Sequence, residues 1–462
     1  MGIWPVFFRT PKDIHMKSIL YLFSLFLMTA TWAANRPNVI LIMADDMGYE
    51  SLGANGGKAF NTPRIDALAA EGMRFKHCHS QPICTPSRVQ IMTGNYNSKN
   101  YLKFGLLDPE AKTFGHLFQD AGYKTCIAGK WQLGGGFDQP GHFGFDEYCL
   151  WQLTRRPGRY VNPGFEVNGK AVDYTEGEYG PDIASNYILD FIERNKDGEF
   201  FVWYPMIPPH WPFEPPPGHP DYDKTAKSND RNRKAKYFPP MVEHVDTIVG
   251  RIEDKLKALG LRENTLIIFT GDNGNATELK YELDGKPYPG GKGSTRDNGT
   301  HVPLVVSWPG TIQSGVVSDE LVDFSDMLPT IADAAGIAVP SDWGVDGHSF
   351  VPHLKGDTAY KSREWIYCWY ERNGNRGKES QHTRNQTLKL YGTGKLFNVM
   401  DDFEEKHALD IETLNAAQRK QYKVLKESLD RQMAVNVEAT AVVMKKKGPE
   451  KKKKEKKEKA AK

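Results

Sequence analysis

Two acidic pairs, Asp45-Asp46 and Asp272-Asn273, each directly follow an apolar run of strand length, Asn38 to Met43 and Leu266 to Thr270. If both runs are strands of one parallel sheet, both pairs project from the same edge, where such sheets bind ligands. Three carboxylates and an amide oxygen form a hard, oxygen-only set that suits Ca2+, or Mg2+, and not zinc. Without a cation such carboxylates repel and raise one another's pKa values. Either pair alone is also ordinary turn or cap composition; their recurrence after two core strands favours metal. A third segment, Cys84-Thr85-Pro86-Ser87-Arg88, runs into the helix-like Val89-Gln90-Ile91-Met92. Pro86 in a first turn sets Cys84 at or just before a helix N-terminus, where backbone N–H groups favour an anion. A lone cysteine is otherwise a small buried hydrophobe.

The segments that must position these residues alternate between strand and helix. Thr62-Pro63 opens a helix with Ile65, Leu68 and Ala69 on one face, and Gly72 closes it. Lys124 to Ala128 and Phe200 to Tyr204 read as strands, the second preceded by an amphipathic helix from Pro181 to Arg194. Val245, Ile248, Ile252, Leu256 and Leu259 recur at helical spacing. Pro303 to Ser307 and a helix from Ser325 to Ala335 continue the pattern. This predicts an α/β fold, a doubly wound, mostly parallel or mixed sheet flanked by helices. Beyond about Asp346 the pattern changes to short strands at Trp365–Trp369, Thr387–Tyr391 and Lys395–Val399, then a polar helix from Ile411 to Met433. These predict a smaller C-terminal antiparallel α+β subdomain, with boundaries at 35–345 and 346–443.

The chain of 462 residues has 39% apolar and 26% charged residues, enough for a folded core. Its net charge of +2 conceals a tail, residues 444–462, whose Lys/Glu run from Lys445 carries +8; the remainder stands at −6. That body offers no basic surface for nucleic acid, and the tail reads as disordered. Met16-Lys17-Ser18, the apolar run Ile19 to Met28 and Thr31-Trp32-Ala33-Ala34 form a signal-peptide pattern over residues 1–34, with Met16 an alternative start. The apolar run is too short for a stable membrane span, so the expected location is the periplasm or the extracellular space. Five cysteines without a CxxC pair exclude a disulfide scaffold, and an odd count leaves one unpaired.

The pentapeptide at Cys84 resembles the C-x-P-S-R signature of the type I sulfatases, arylsulfatase-like members of the alkaline-phosphatase-like superfamily. The resemblance extends from about Arg36 to Leu409. It includes Asn38 to Gly48, Ala121 to Gly134 around Lys130, Pro209 to Phe213 around His210, Thr270 to Gly274, and Gly291 to Thr295 around Lys292. It implies that a maturase converts Cys84 to formylglycine, whose hydrate attacks the sulfur of a sulfate ester on a small molecule or polysaccharide. It also implies that Asp45, Asp46, Cys84, Asp272 and Asn273 hold Ca2+, with Mg2+ as the other candidate. Arg88, Lys130 and Lys292 would surround the sulfuryl group, and Lys292 or His210 would protonate the leaving oxygen.

The match departs from the family at Gln132, where the family usually has a titratable His; Gln holds a hydrogen bond but moves no proton. Asp297-Asn298-Gly299 and Asn95 depart as well, bearing on support and substrate fit. Two other readings stand beside sulfate-ester hydrolysis. One is a phosphonate or phosphate ester hydrolase on the same fold; the other is a non-catalytic glycan-binding relative. Trp131, Trp151, Tyr160, Trp211, Arg155, Arg156 and Arg159 could line a sugar cleft, but each reads more readily as core or surface. His77, His79, His116 and His301 have no assigned role.

Overall fold

Apolar runs flanked by helices on both sides can bury both faces only at the centre of a layered sheet, and the chain does so. The computed structural model describes residues 1–2, 36–226 and 234–435, so the expected signal peptide and Lys-rich tail lie outside the described residues. The apolar run at the start becomes β1, Asn38–Ala44, buried at every position. Its side chains alternate between two cores: Val39, Leu41 and Met43 face one, and Ile40, Ile42 and Ala44 face the other. β1 pairs in parallel with β7 (Phe200–Pro205) on one side and β8 (Thr265–Gly271) on the other. β3 (Lys124–Lys130) and β4 (Glu147–Trp151) extend the parallel set beyond β7.

The sheet has ten strands and is mixed. β11 (Leu304–Ser307) runs antiparallel to β8 and to β2 (Met73–His79), and β12 (Val316–Asp323) closes that edge parallel to β2. At the other edge, β5 (Gly164–Val167) and β6 (Lys170–Asp173) form an antiparallel extension. One core is covered by helices Pro63–Glu71, Gly180–Arg194 and Phe238–Ala258, whose buried residues include Ile65, Ile188 and Ile252. Helices Cys84–Thr93, Phe114–Asp120 and Met327–Ala334 cover the other, through Ile91, Phe118 and Leu328. Helices on both faces make this a doubly wound α/β fold, as expected.

The C-terminal strands form a separate antiparallel sheet in the order β13 (Ile366–Tyr370), β14 (Ser380–Arg384), β15 (Leu388–Tyr391), β16 (Leu396–Asn398). The polar helix begins later than expected: Ile411–Thr413 is an isolated 3-10 turn, and the α-helix spans 416–435. The delay has a capping cause. Asn415 accepts from Gln418 N at 2.9 Å, and Gln418 Oε1 accepts from Asn415 N at 3.1 Å, a reciprocal cap that starts the helix there. From Pro37 onward the chain forms one compact unit, and Tyr367, Trp369, Leu388, Leu425 and Leu429 join the same apolar core as β1.

Candidate active site

The carboxyl ends of β1 and β8 are adjacent because the two strands pair residue for residue from Asn38–Thr265 to Ala44–Gly271. Gly271 allows the close approach, since a Cβ there would lie 1.9 Å from the Met47 carbonyl. The Asp46 N–H donates to Asp272 Oδ1 at 2.8 Å, and Asn273 Nδ2 donates to Asp46 Oδ1 at 2.8 Å. Asp46 takes a left-handed conformation, φ 63°, which Asp tolerates better than most residues. Carboxylate oxygens of Asp45, Asp46 and Asp272 lie within 4.8 Å of one another, all buried.

Cys84 is the first residue of its helix, with Ile83 extended before it, and all ten residues of that helix are buried. The Ser87 hydroxyl donates to the Asp272 carbonyl at 2.6 Å, tying the helix to the second acidic pair. One turn on, Arg88 donates from Nη1 to the Lys130 carbonyl at 2.7 Å, and its Nη2 stands 3.7 Å from Asp272 Oδ2. β3 ends at Lys130, whose ammonium donates to Asp45 Oδ2 at 2.6 Å. Sγ of Cys84, an oxygen of Asp45 and a ring nitrogen of His210 again fall within 4.8 Å.

The loop after β7 brings in His210; the Asp45 N–H donates to the Pro208 carbonyl at 3.1 Å and fixes its approach. Lys292 arrives on a loop held by backbone bonds, Lys292 N to Asn275 O at 3.0 Å and Gly293 N to Pro82 O at 2.8 Å. Its ammonium donates to Asp46 Oδ2 at 2.6 Å and stands 3.2 Å from His210 Nε2. Asp45, Asp46, Cys84, Arg88, Lys130, His210, Asp272, Asn273 and Lys292 therefore meet at one edge of the sheet. Gln132 is there too, at φ 54°, with Oε1 3.5 Å from the Thr85 hydroxyl.

Burial raises the Asp45 carboxyl, but Lys130, His210, Arg88 and Lys292 outweigh it and hold the group far below the carboxylate range. Asp272 is pushed well up by burial and then by Asp45 and Asp46; burial, opposed by Lys292, also raises Asp46. Burial pushes the Cys84 thiol up against the pull of Lys130 and Lys292. Burial and then Lys292 drive His210 well below the imidazole range. Burial opposes the Lys292 charge, yet Asp46, Cys84 and Asp45 raise its ammonium.

Arg159 was named from the sequence only among residues that could line a sugar cleft, with no contact to His210 expected. It is buried, its guanidinium lies 4.1 Å from the Trp151 ring centre, and Nη1 stands 2.9 Å from His210 Nδ1. Nothing in its spacing signals this contact, which depends on the β4–β5 and β7 loops meeting. Trp131, Trp151 and Tyr160 are core residues, each no more than 1% exposed. His79 and His301 stack on each other with ring centres 5.1 Å apart, and all five cysteines are buried thiols.

The sulfatase family model matches residues 37–337, and the model for the C-terminal region of N-sulphoglucosamine sulphohydrolase matches 292–439. Arylsulfatase G of Rattus norvegicus is 29% identical over 428 residues, covering 80% of this chain and 78% of that protein. Human (Homo sapiens) N-acetylgalactosamine-6-sulfatase is 30% identical over 370 residues, covering 71% and 67%. Among solved structures, Ps i-CgsB in complex with k-i-k-neocarrahexaose superposes with a TM-score of 0.71 at 29% identity, over 86% of this chain and 92% of that one. The phosphonate monoester hydrolase of Agrobacterium radiobacter shares the fold, with a TM-score of 0.64 at 20% identity over 87% and 96%. The chain belongs to the arylsulfatase-like sulfatase family and is a sulfuric ester hydrolase.

Proposed function

We propose that this enzyme removes sulfate from a sulfated carbohydrate, using formylglycine made from Cys84 by a maturase and a Ca2+ ion held by Asp45, Asp46, Asp272 and Asn273. The observation that carries the metal is a set of orphaned oxygens: Asp45 Oδ1, Asp272 Oδ2 and Asn273 Oδ1 are buried without a hydrogen-bond partner. Buried polar atoms are rarely left so. Three such oxygens beside Asp46 suit a hard divalent cation, Ca2+ before Mg2+ on the size of the set. A cation there would supply Lewis acidity toward a sulfuryl oxygen. Oxidation of Cys84 would supply a hydrated aldehyde as nucleophile, in place of a thiol that burial keeps protonated.

The remaining work falls to the chain's own side chains. The helix N-terminus at Cys84 and the guanidinium of Arg88, whose Nε and Nη2 lack hydrogen-bond partners, face the place where sulfuryl charge develops. Lys130 and Lys292 add fixed positive charge on either side. Lys292, kept cationic, donates the proton to the leaving oxygen, and neutral His210 orients it through Nε2. Gln132 cannot titrate, which leaves Lys292 and His210 as the proton-handling pair. The N-terminal basic, apolar and small-residue pattern favours export, and no described helix is long and apolar enough to cross a membrane.

Turnover of 4-nitrophenyl sulfate against 4-nitrophenyl phosphate, with mass spectrometry of the Cys84 peptide from the native host, tests this reading. We expect sulfate turnover, an aldehyde at position 84, and loss of turnover in Cys84→Ala. A native thiol, or undiminished turnover in Cys84→Ala, would overturn it; faster phosphate turnover would favour the phosphate ester reading.

A further inference from the structure

The segment after β13 carries a cation that neither the fold nor the proposed chemistry uses. Arg372 is exposed, its guanidinium 4.9 Å from the ring centre of half-buried Phe104, and it makes no ion pair among the described residues. The adjacent carboxylate of Glu371 is turned to the backbone, accepting from Asn373 N at 2.8 Å and from Asn375 N. Most exposed arginines are floppy and solvated, but this one is held from both sides. Its carbonyl accepts from the Tyr101 hydroxyl at 2.8 Å. Four residues on, Arg376 donates to the Ser98 carbonyl at 2.8 Å and the Tyr101 carbonyl at 3.2 Å, while lying 4.1 Å from the Trp369 ring centre. The segment after β13 is thus moored to the Asn97–Asn100 turn.

The Phe104 platform is in turn tied to the catalytic helix. Gly105 N donates to the Thr85 hydroxyl at 3.1 Å, one residue from Cys84, and Leu107 N donates to the Leu133 carbonyl at 2.9 Å, one residue from Gln132. The segment that carries the Arg372–Phe104 pair is therefore tied directly to the residues flanking Cys84 and Gln132, with exposed Lys103 next to Phe104 in the chain.

We propose that Arg372, seated on Phe104, is a subsite for a second sulfate group carried on the same glycan as the scissile sulfate ester. The geometry favours a bound anion over a surface charge. The aromatic face orients the guanidinium fork, the backbone holds it in place, and no internal carboxylate competes for its donors. The inference rests on the sulfatase reading for its substrate class, since a multiply sulfated glycan presents anionic groups at more than one position. It implies discrimination: singly sulfated or aryl substrates would miss this contact.

The test titrates sucrose octasulfate calorimetrically into the wild-type protein, Arg372→Ala and Arg372→Lys, with melting curves to verify folding. In parallel, each is assayed on 4-nitrophenyl sulfate with inorganic sulfate as competitor. Losing one charge-assisted contact should weaken octasulfate binding about tenfold in Arg372→Ala and less in Arg372→Lys. Turnover of 4-nitrophenyl sulfate and inhibition by inorganic sulfate should stay unchanged. Equal octasulfate affinity in wild type and Arg372→Ala would overturn the subsite. A matching loss on 4-nitrophenyl sulfate would also overturn it, by assigning Arg372 to the scissile group. If the wild-type protein turned over no sulfate ester, the sulfatase reading would fail while the titration still decided the role of Arg372.

Discussion

Three buried carboxylates within 4.8 Å of one another are an electrostatic liability that only positive charge resolves, and the site supplies it from several sources. Lys130 and Lys292 each neutralise one carboxylate, yet Asp272 remains pushed well up by burial, Asp45 and Asp46. A divalent cation would remove that residual cost and bind the folded state selectively. Chelation should therefore lower the melting temperature, and Ca2+ at about a hundredfold over its Kd should restore about 2.7 kcal/mol. Differential scanning calorimetry with and without EGTA checks this, and Asp272→Asn should blunt the response. Lys292 makes a separate kinetic prediction: Lys292→Ala should lower kcat about 100-fold or more, as for loss of one preorganised transition-state donor, measured on an aryl sulfate. Asp45, Asp46, Asp272, Asn273 and Cys84 were legible because each follows an apolar strand or opens a helix with a distinctive local signature, whereas Lys130, His210 and Lys292 were legible only through the family resemblance. The contacts that Arg159 makes with His210 and Ser87 with the Asp272 carbonyl were not. They depend on which loops the tertiary fold brings together, and no local spacing encodes that.

At the level of elements, the turn after β1 shows how the second acidic pair is braced. Asn275 Oδ1 accepts from Gly48 N at 2.9 Å and from the Ser51 hydroxyl at 3.0 Å, while its Nδ2 donates to Glu50 Oε1 at 2.7 Å. Burial pushes Glu50 up to about 8, against the pull of its hydrogen bonds. A carboxyl whose folded pKa lies above its unfolded value stabilises fully below the unfolded pKa, near 4.5, and loses that contribution as pH rises through 8. Glu50→Gln keeps the acceptor for Asn275 and removes the titration. The wild type should lose stability between these pH values more steeply than the variant, as urea midpoints across the range would show. Element type was readable where apolar periodicity was strong, as in β1, β7, β8 and helix Phe238–Ala258. It was not readable in β2 (MRFKHCH) or β14 (SQHTR), whose charged and polar residues hide the strand. The hairpin of β9 (Lys280–Leu283) and β10 (Lys286–Pro289) did carry a signal. Asp284-Gly285 takes positive φ at both positions, the turn that such a pair favours, but short polar flanks gave it no periodicity to support.

At the scale of the whole molecule, the C-terminal sheet is bound to the rest of the protein in two ways that a change in sequence pattern at about Asp346 does not reveal. Its residues Tyr367, Trp369, Leu388 and Leu396 share one core with β1 and the Cys84 helix, so their removal exposes the catalytic layer's own apolar face. It also steadies the loop that carries Lys292. Arg384 donates to Asp297 Oδ1 at 2.6 Å in the buried interior, and the buried Lys389 ammonium donates to the Thr295 carbonyl and, at 2.7 Å, to half-buried Glu405. A chain ending at residue 345 should therefore neither melt cooperatively nor stay soluble, and a fluorescence melt after refolding would show it. Arg384→Ala tests the second contribution, because it keeps the apolar contacts and removes the tie to Asp297, together with Arg384's own bonds to the Asn385 and Gln386 carbonyls. It leaves Asp297 as a buried carboxylate without its partner, at a cost of about 3–5 kcal/mol. The variant should still unfold in one transition, at lower temperature, and its kcat on 4-nitrophenyl sulfate should fall because Lys292 is held less firmly. A variant that lost stability but kept kcat would show that the C-terminal sheet supports the core alone and leaves the Lys292 loop to its own backbone bonds.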